Sequence, residues 1–213
     1  MSVSSLRPER LFVTGIGTDV GKTVVAAILT EALQADYWKP VQAGLEPTTD
    51  TATVRSLVSN SRSVFHPETY RLQLPASPHK AAAAEHVTIA AEAFRLPATN
   101  NHLVVEGAGG LLVPLAPGLL LADLIAPLEL DVVVVSRHYL GSINHTLLTL
   151  EALRQRGLPV RGLVFNGEPN PATEDFISQH TGVPIMPRVQ PETEISPATV
   201  SRYAPAFRAW FNQ

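Results

Sequence analysis

Gly21-Lys22-Thr23 is the first stretch of this chain that could do chemistry. It closes the run from Phe12 to Thr23, in which apolar residues lead into a glycine-punctuated turn and then into an Ala/Val/Leu-rich segment with helical spacing. Such a loop cradles phosphate. Glycines let backbone amides approach an anion, and a helix start adds free donors and the positive end of a dipole. Lys22 would reach β/γ-phosphates and the Thr23 hydroxyl would serve Mg²⁺. The usual spacing puts the first glycine where Ile16 stands; Gly15 comes one residue too early. An ordinary Gly-rich turn between strand and helix is the plain alternative.

Three more charged residues sit where a sheet could deliver them to that loop. Lys39 follows a short apolar run and could neutralise a transferring phosphoryl group or a carboxylate. Asp50 lies in the polar stretch after it, and Glu106 closes Leu103–Glu106 ahead of Gly107-Ala108-Gly109-Gly110. Carboxylates beside a phosphate loop suit Mg²⁺. A surface lysine, a solvated aspartate and a capping or salt-bridged glutamate are the plainer readings of the same three residues. Gly141-Ser142-Ile143-Asn144-His145 opens another helical segment, whose free amides would suit a substrate carboxylate unless Ser142 or Asn144 caps them. His79, in Ser77-Pro78-His79, is the histidine most open to a substrate role.

Other chemistries find no support. The chain has no cysteine, its seven histidines form no metal-binding pattern, and no serine sits in a Gly-x-Ser-x-Gly elbow. The Gly15-x-Gly17 element lacks the acidic end of strand two expected of a dinucleotide site.

Strands and helices must alternate to bring these residues together. The periodicity predicts strands over 11–14, 37–41, 103–106, 131–136, 161–166 and 182–186. It predicts helices over 24–33, 51–59, 80–85, 87–94, 119–125, 141–156, 173–180 and 204–211. Four consecutive valines, Val132–Val135, suit a parallel strand covered on both faces. The expected fold is α/β, a doubly wound and mostly parallel sheet flanked by helices, of P-loop NTPase type, with 1–213 as a single domain. Ligands then gather beyond the carboxyl ends of the strands, where the candidate residues fall.

At 213 residues, 45% hydrophobic and 16% charged, the chain can bury a sizeable core. Its net charge of −3 gives no nucleic-acid footprint. Arg7 and Arg10 are not followed by a signal-type apolar region, and the longest apolar runs are too short for a membrane span. A cytoplasmic protein with no nucleic-acid or membrane partner is the expectation.

The motifs, in order, resemble those of the dethiobiotin synthetase family. The resemblance is carried by Phe12–Gly15 through Val20-Gly21-Lys22-Thr23, Lys39-Pro40-Val41, Ser77-Pro78-His79, Val105–Gly110 and Gly141–His145. The long spacing from Gly15 to Gly21 is the one this family uses. The resemblance implies ATP-dependent closure of a ureido ring: 7,8-diaminopelargonate, CO₂ and ATP give dethiobiotin, ADP and phosphate, with Mg²⁺. It assigns chemistry to Lys22, Lys39 and Thr18, and the metal to Thr23, Asp50 and Glu106. It assigns nucleotide binding to Asp19, Val20, Gly21, Lys22, Thr23, Val24, Asp50, Glu106, Gly107, Ala108, Gly109, Asn166 and Gly167. Substrate binding falls to Thr18, Lys39, Ala43, Pro78, Gly141, Ser142, Ile143 and Asn144, with a homodimer completing the site. Three positions depart from the family. Asp19 stands where Glu is frequent, Ala43 stands where relatives can have Ser, with Gln42 beside it, and 188–196 aligns only loosely on its purine contacts. A nucleotide-switch ATPase of the partitioning or iron–sulfur-scaffold type is the rival reading. It calls for a second lysine early in the loop, which Gly15-Ile16-Gly17 lacks.

Overall fold

The computed structural model describes residues 8–213. Its centre is a six-stranded sheet in which every neighbouring pair runs parallel. The chain enters it as β1 (Arg10–Gly15), passes through α1 (Lys22–Leu33), and returns as β2 (Asp36–Trp38). β3 (Val41–Ala43), α2 (Asp50–Leu57), β4 (Phe65–His66), β5 (Tyr70–Leu72) and α3 (Pro78–Ala84) follow. β6 (Leu103–Gly110) leads to a small hairpin of β7 (Pro114–Ala116) and β8 (Leu119–Leu120). The chain then completes the fold with β9 (Asp131–Arg137), α4 (Ser142–Gln155), β10 (Val160–Asn166), α5 (Pro171–Thr181) and α6 (Pro197–Phe211).

The strand order β10-β9-β1-β6-β2-β4 sets β1 in the middle, between β6 and β9. The phosphate-type loop after β1 is thus flanked by the ends of both neighbours, where ligands bind in such sheets. Burial explains why the strands read as unbroken apolar runs. Leu11, Phe12, Val13, Val104, Val105 and Val132–Val135 are all fully buried, as strands covered on both faces must be. One core runs from Leu11 to Phe207, and α6 closes it over α1, with Arg208 Nε donating to the Ala32 carbonyl at 2.7 Å.

Several expected elements are built differently. The strand predicted over 37–41 is two strands in two sheets, because Lys39-Pro40 breaks it: Pro40 has no amide to pair and restricts the residue before it. Glu106 lies inside β6, not at its end; the strand continues to Gly110, with a register irregularity opposite Val13–Gly15. Residues 87–94 hold only a 3-10 turn at Ala91–Ala93, the β-branched Val87-Thr88-Ile89 run opposing a helix. The helix expected over 119–125 is β8 followed by a 3-10 turn at Leu121–Leu124, for Leu119–Leu120 pair back across the hairpin. The last expected strand, 182–186, shrinks to a bridge between Leu163 and Ile185, since Pro184 and Pro187 remove donors on either side. α6 begins at Pro197, not Ala204, capped by Ser196, whose hydroxyl accepts from the Thr199 amide at 3.3 Å. Arg7 lies outside the described residues. Among the described residues no helix is long and apolar enough to cross a membrane.

Candidate active site

Gly15 ends β1 tightly: a Cβ there would sit 2.5 Å from Val20 Cγ2 and 2.9 Å from the Gly17 carbonyl. The loop then turns on Asp19 (φ 56) and Gly21 (φ 95), both in the left-handed region. Gly21 is the N-cap of α1 and brings no side chain, and the first turn carries no acid, so amides and dipole face the cavity unopposed. Lys22 folds back to donate from Nζ to the Gly17 carbonyl at 2.9 Å.

Beside this arc lies a charged corner made by β2, β6 and α2. Lys39 Nζ stands 2.6 Å from Asp50 Oδ2 and 3.4 Å from Glu106 Oε1, and donates to the Gly107 carbonyl at 3.1 Å. The Thr23 hydroxyl donates to Glu106 Oε1 at 2.8 Å, and the Tyr37 hydroxyl to Oε2 at 2.7 Å. Asp50 is not in a loop as expected; it is the first residue of α2, capped by Thr49, whose Oγ1 accepts from the Ala52 amide at 3.2 Å. The Gln42 side chain shapes this start. Its Oε1 accepts from the Asp50 amide at 3.1 Å and its Nε2 donates to the Gly44 carbonyl at 3.0 Å. Gln42 thus spends its side chain mainly on the backbone around Asp50, although it also borders the cavity.

The two lysines feel opposite fields. Burial pushes the Lys22 ammonium below the usual lysine value, and Glu106 offsets this only in part. Burial also pulls on Lys39, but Glu106 and Asp50 outweigh it and hold Lys39 above the usual value. Burial, then Glu106, push the Tyr37 phenol well above its ordinary value, so it stays a donor.

A cavity of ≈ 660 Å³ opens over these groups. Thr18, Asp19, Gly21, Lys22, Thr23, Lys39, Ala43, Asp50, Pro78, Glu106, Ala108 and Gly109 all line it. His79 is exposed and does not. Val20 is buried beneath the loop, Val24 is half-buried on α1, and Gly107 holds Lys39 through its carbonyl. Asn166 reaches the loop from the other flank, donating from Nδ2 to the Val20 carbonyl at 2.8 Å. A Cβ on Gly21 would collide with that nitrogen at 2.1 Å. Gly167 (φ 101) follows it, with its amide on the Val189 carbonyl at 2.8 Å and Arg188 on its own carbonyl at 3.1 Å.

Gly141, Ser142, Ile143 and Asn144 do not join the cavity; they line a separate depression with Tyr139 and Phe176. Gly141 (φ 98) is the N-cap of α4 and no side chain caps its first turn, neither Ser142 nor Asn144. The surface around it is unusually apolar, with Leu140, Leu148 and Phe176 exposed.

Sequence reasoning passed over Tyr37, Pro75 and Ala76 as parts of the site, and gave Arg137 and Ser77 no role of their own. Arg137, at the end of β9, donates to the Asp19 carbonyl at 3.4 Å. Tyr37 left no signal of its own, since an aromatic inside an apolar strand reads as core.

The oxygens around Glu106, from the Thr23 and Tyr37 hydroxyls and the Asp50 carboxylate, are hard donors of the kind Mg²⁺ takes, with the Lys39 ammonium lying among them. Among the described residues no cluster of three or more His, Cys, Asp or Glu side chains gathers, so an all-protein metal cage is not built here.

A family model described as an AAA domain matches residues 9–199. The chain is 51% identical to the ATP-dependent dethiobiotin synthetase BioD of Cytophaga hutchinsonii over 205 residues, 95% of this chain and 99% of the relative. It is 48% identical to that of Christiangramia forsetii, covering 94% of this chain and 97% of the relative. Among solved structures it superposes on the MinC:MinD cell division complex of Aquifex aeolicus with TM-score 0.60 at 11% identity, 96% of each chain being covered. A ParA family ATPase from Chlorobium tepidum gives TM-score 0.55 at 12% identity, covering 94% of this chain and 99% of that one. At such identities these two likenesses speak for the sheet and its loop alone.

Proposed function

The chain belongs to the ATP-dependent dethiobiotin synthetase family, and from that premise we propose that it closes the ureido ring of dethiobiotin with the groups gathered around Lys39. The reaction joins 7,8-diaminopelargonate and CO₂ at the expense of ATP. One amine takes up CO₂ and loses a proton, giving a carbamate. A carbamate oxygen attacks the γ-phosphorus of ATP, and ADP leaves. The second amine attacks the carbonyl carbon of the mixed anhydride, and phosphate departs as the five-membered ring closes.

The central difficulty is that carbamate and triphosphate are both anions. Lys22 and Lys39 supply the cations that let them meet, and both line the same cavity. The amides of the Asp19–Gly21 turn and the start of α1 hold phosphate oxygens, and Thr18 faces the same space from the loop. Thr23, Asp50 and Glu106 would hold Mg²⁺, which adds charge neutralisation on the β- and γ-phosphates when bound. Ala108, Gly109 and Pro78 wall the channel in which the diamine lies. Asn166 and Gly167 lie on the base side of the nucleotide. The α4 start at Gly141–Asn144 takes the far carboxylate of the substrate. Its separation from the cavity and the exposed Leu140, Leu148 and Phe176 around it support a homodimer that brings this end to a neighbouring site. One continuous core supports reading the chain as a single domain, and we place it in the cytoplasm.

The observation that carries the reading is the buried ammonium of Lys39, shared between Asp50 at 2.6 Å and Glu106 at 3.4 Å beside Lys22 and Thr23. The test is direct: purified protein with diaminopelargonate, bicarbonate, Mg²⁺ and ATP should release ADP only when the diamine is present, with dethiobiotin identified by mass spectrometry. ATP hydrolysis indifferent to the diamine, with no dethiobiotin from a folded sample, refutes it.

A further inference from the structure

Tyr37 is fully buried, and its hydroxyl has one partner, Glu106 Oε2 at 2.7 Å. A buried tyrosine needs an acceptor somewhere, so a bond alone says little. What matters is which acceptor it has. The other oxygen of the same carboxylate, Oε1, receives the Thr23 hydroxyl at 2.8 Å and faces the Lys39 ammonium at 3.4 Å. The two oxygens are therefore divided: one is held from within the sheet, the other faces the cavity.

The division follows from register. β2 pairs with β6 so that Tyr37 lies opposite Val104 and Trp38 opposite Val105. Strand alternation puts Val104 and Glu106 on one face, with Tyr37 beside them. The long phenol spans the two-residue step from Val104 to Glu106 and meets the carboxylate at Oε2. The bond to Tyr37 ties Oε2 and opposes a rotation that would bring both oxygens onto Lys39.

We infer that Tyr37 is a positioning residue for the reaction: its hydroxyl holds Glu106 so that one oxygen alone, Oε1, is presented to Thr23, Lys39 and a bound divalent cation. This rests on the proposed metal role of Glu106. Without the hydroxyl, Oε2 is a buried acceptor with no donor, and the nearest cation it can turn to is Lys39. Glu106 would then close on Lys39 as a two-oxygen pair, and both groups would be less free to serve nucleotide and metal.

The experiment is calorimetric binding of ADP to the nucleotide-free protein, with Mg²⁺ and with EDTA, for wild type and Tyr37→Phe. Wild type should bind ADP more tightly with Mg²⁺; the absence of any such gain would count against the metal role of Glu106 itself, and so would remove the premise. Given that gain, Tyr37→Phe should lose about 10-fold of it while its affinity in EDTA stays within about 2-fold of wild type. Its KM for the diamine should not move. An unchanged Mg²⁺ gain overturns the inference, as does an equal loss with and without Mg²⁺, which would mean general loosening. If Tyr37→Phe is too unstable to assay, a cycle with Glu106→Gln decides. Removing the hydroxyl opposite the uncharged Gln should change the unfolding constant at least about 10-fold less than removing it opposite Glu. Equal changes would show that the hydroxyl does not act through the carboxylate.

Discussion

The loop between β1 and α1 and the corner between β2 and β6 each hold one lysine, and they hold it in opposite ways. Lys22 is buried with a single backbone carbonyl for company, 2.9 Å away, and its ammonium is destabilised. Lys39 is buried among two carboxylates and a carbonyl, and its ammonium is stabilised. The loop thus holds a cation with no carboxylate in direct contact, a place an anion would complete, whereas the corner sets one ammonium against two carboxylates. On the proposed reading, a triphosphate entering the cavity gains most from the loop. The corner is preorganised instead, so its groups need little rearrangement as charge shifts during phosphoryl transfer.

That contrast is sharpest in the response to removing each charge. Lys22→Met should lower turnover about 10³-fold, the largest effect expected from any single side chain here. Yet the nucleotide-free protein should melt at the same or a higher temperature, because the change deletes a buried cation that the fold holds at a cost. The melting difference has a pH signature. A lysine with a lowered folded pKa opposes folding while it is protonated, so the gain of Lys22→Met over wild type is fullest on the acid side. It shrinks as pH rises through the lowered value towards about 10.4, where the wild-type residue is neutral in both states. A large fall in melting temperature for Lys22→Met at neutral pH would break the comparison.

Lys39→Met should also cost turnover, about 10²–10³-fold, but with the opposite effect on the fold. Asp50 and Glu106 would be left facing each other across the site, a loss of roughly 2–3 kcal/mol once the part-exposure of Asp50 is allowed for. The contribution of Lys39 is fully present below the unfolded value of about 10.4 and is lost only as pH passes its raised folded value. Denaturant unfolding at pH 7 and pH 10 should therefore show Lys39→Met persistently less stable than wild type, while the Lys22 difference fades over the same interval. A stable, inactive Lys39→Met would mean that Asp50 and Glu106 do not depend on Lys39 for compensation.

How much of this was open to reading in the chain depends on what kind of signal each residue leaves. Lys22, Thr23, Lys39 and Glu106 were legible because charged or hydroxyl residues that close apolar runs in an alternating α/β pattern arrive at one sheet edge. The central strands were legible for the same reason, Val132–Val135 above all. Tyr37 was not, since an aromatic in a strand reads as core, and core it is; only its partner makes it part of the site. The split at Lys39-Pro40 was written in Pro40 but overridden by the apolar run around it. The continuation of β6 past Glu106 was hidden because glycine runs read as turns, whereas here Gly107–Gly110 stay in the strand. Gly141–Asn144 was legible as a helix start, but its distance from the loop is a property of the packed chain, and no spacing in the sequence carries it.

The flank towards β10 offers the smallest effect and the cleanest contrast with the corner. Asn166 touches the loop through one neutral hydrogen bond, Nδ2 to the Val20 carbonyl at 2.8 Å, and Gly21 leaves the room it needs. Losing such a bond costs about 1 kcal/mol, or about 5-fold in an equilibrium constant. Asn166→Ala should therefore raise KM for ATP about 5-fold, with kcat and KM for the diamine unchanged. The bond steadies the shape of the loop from the β10 flank and touches neither lysine. Steady-state kinetics with ATP and diamine varied in turn would separate the two parameters. A fall in kcat comparable to that of Lys39→Met would mean that the β10 flank also acts on the transferring phosphoryl group, and the division of labour between the two sides of the loop would have to be abandoned.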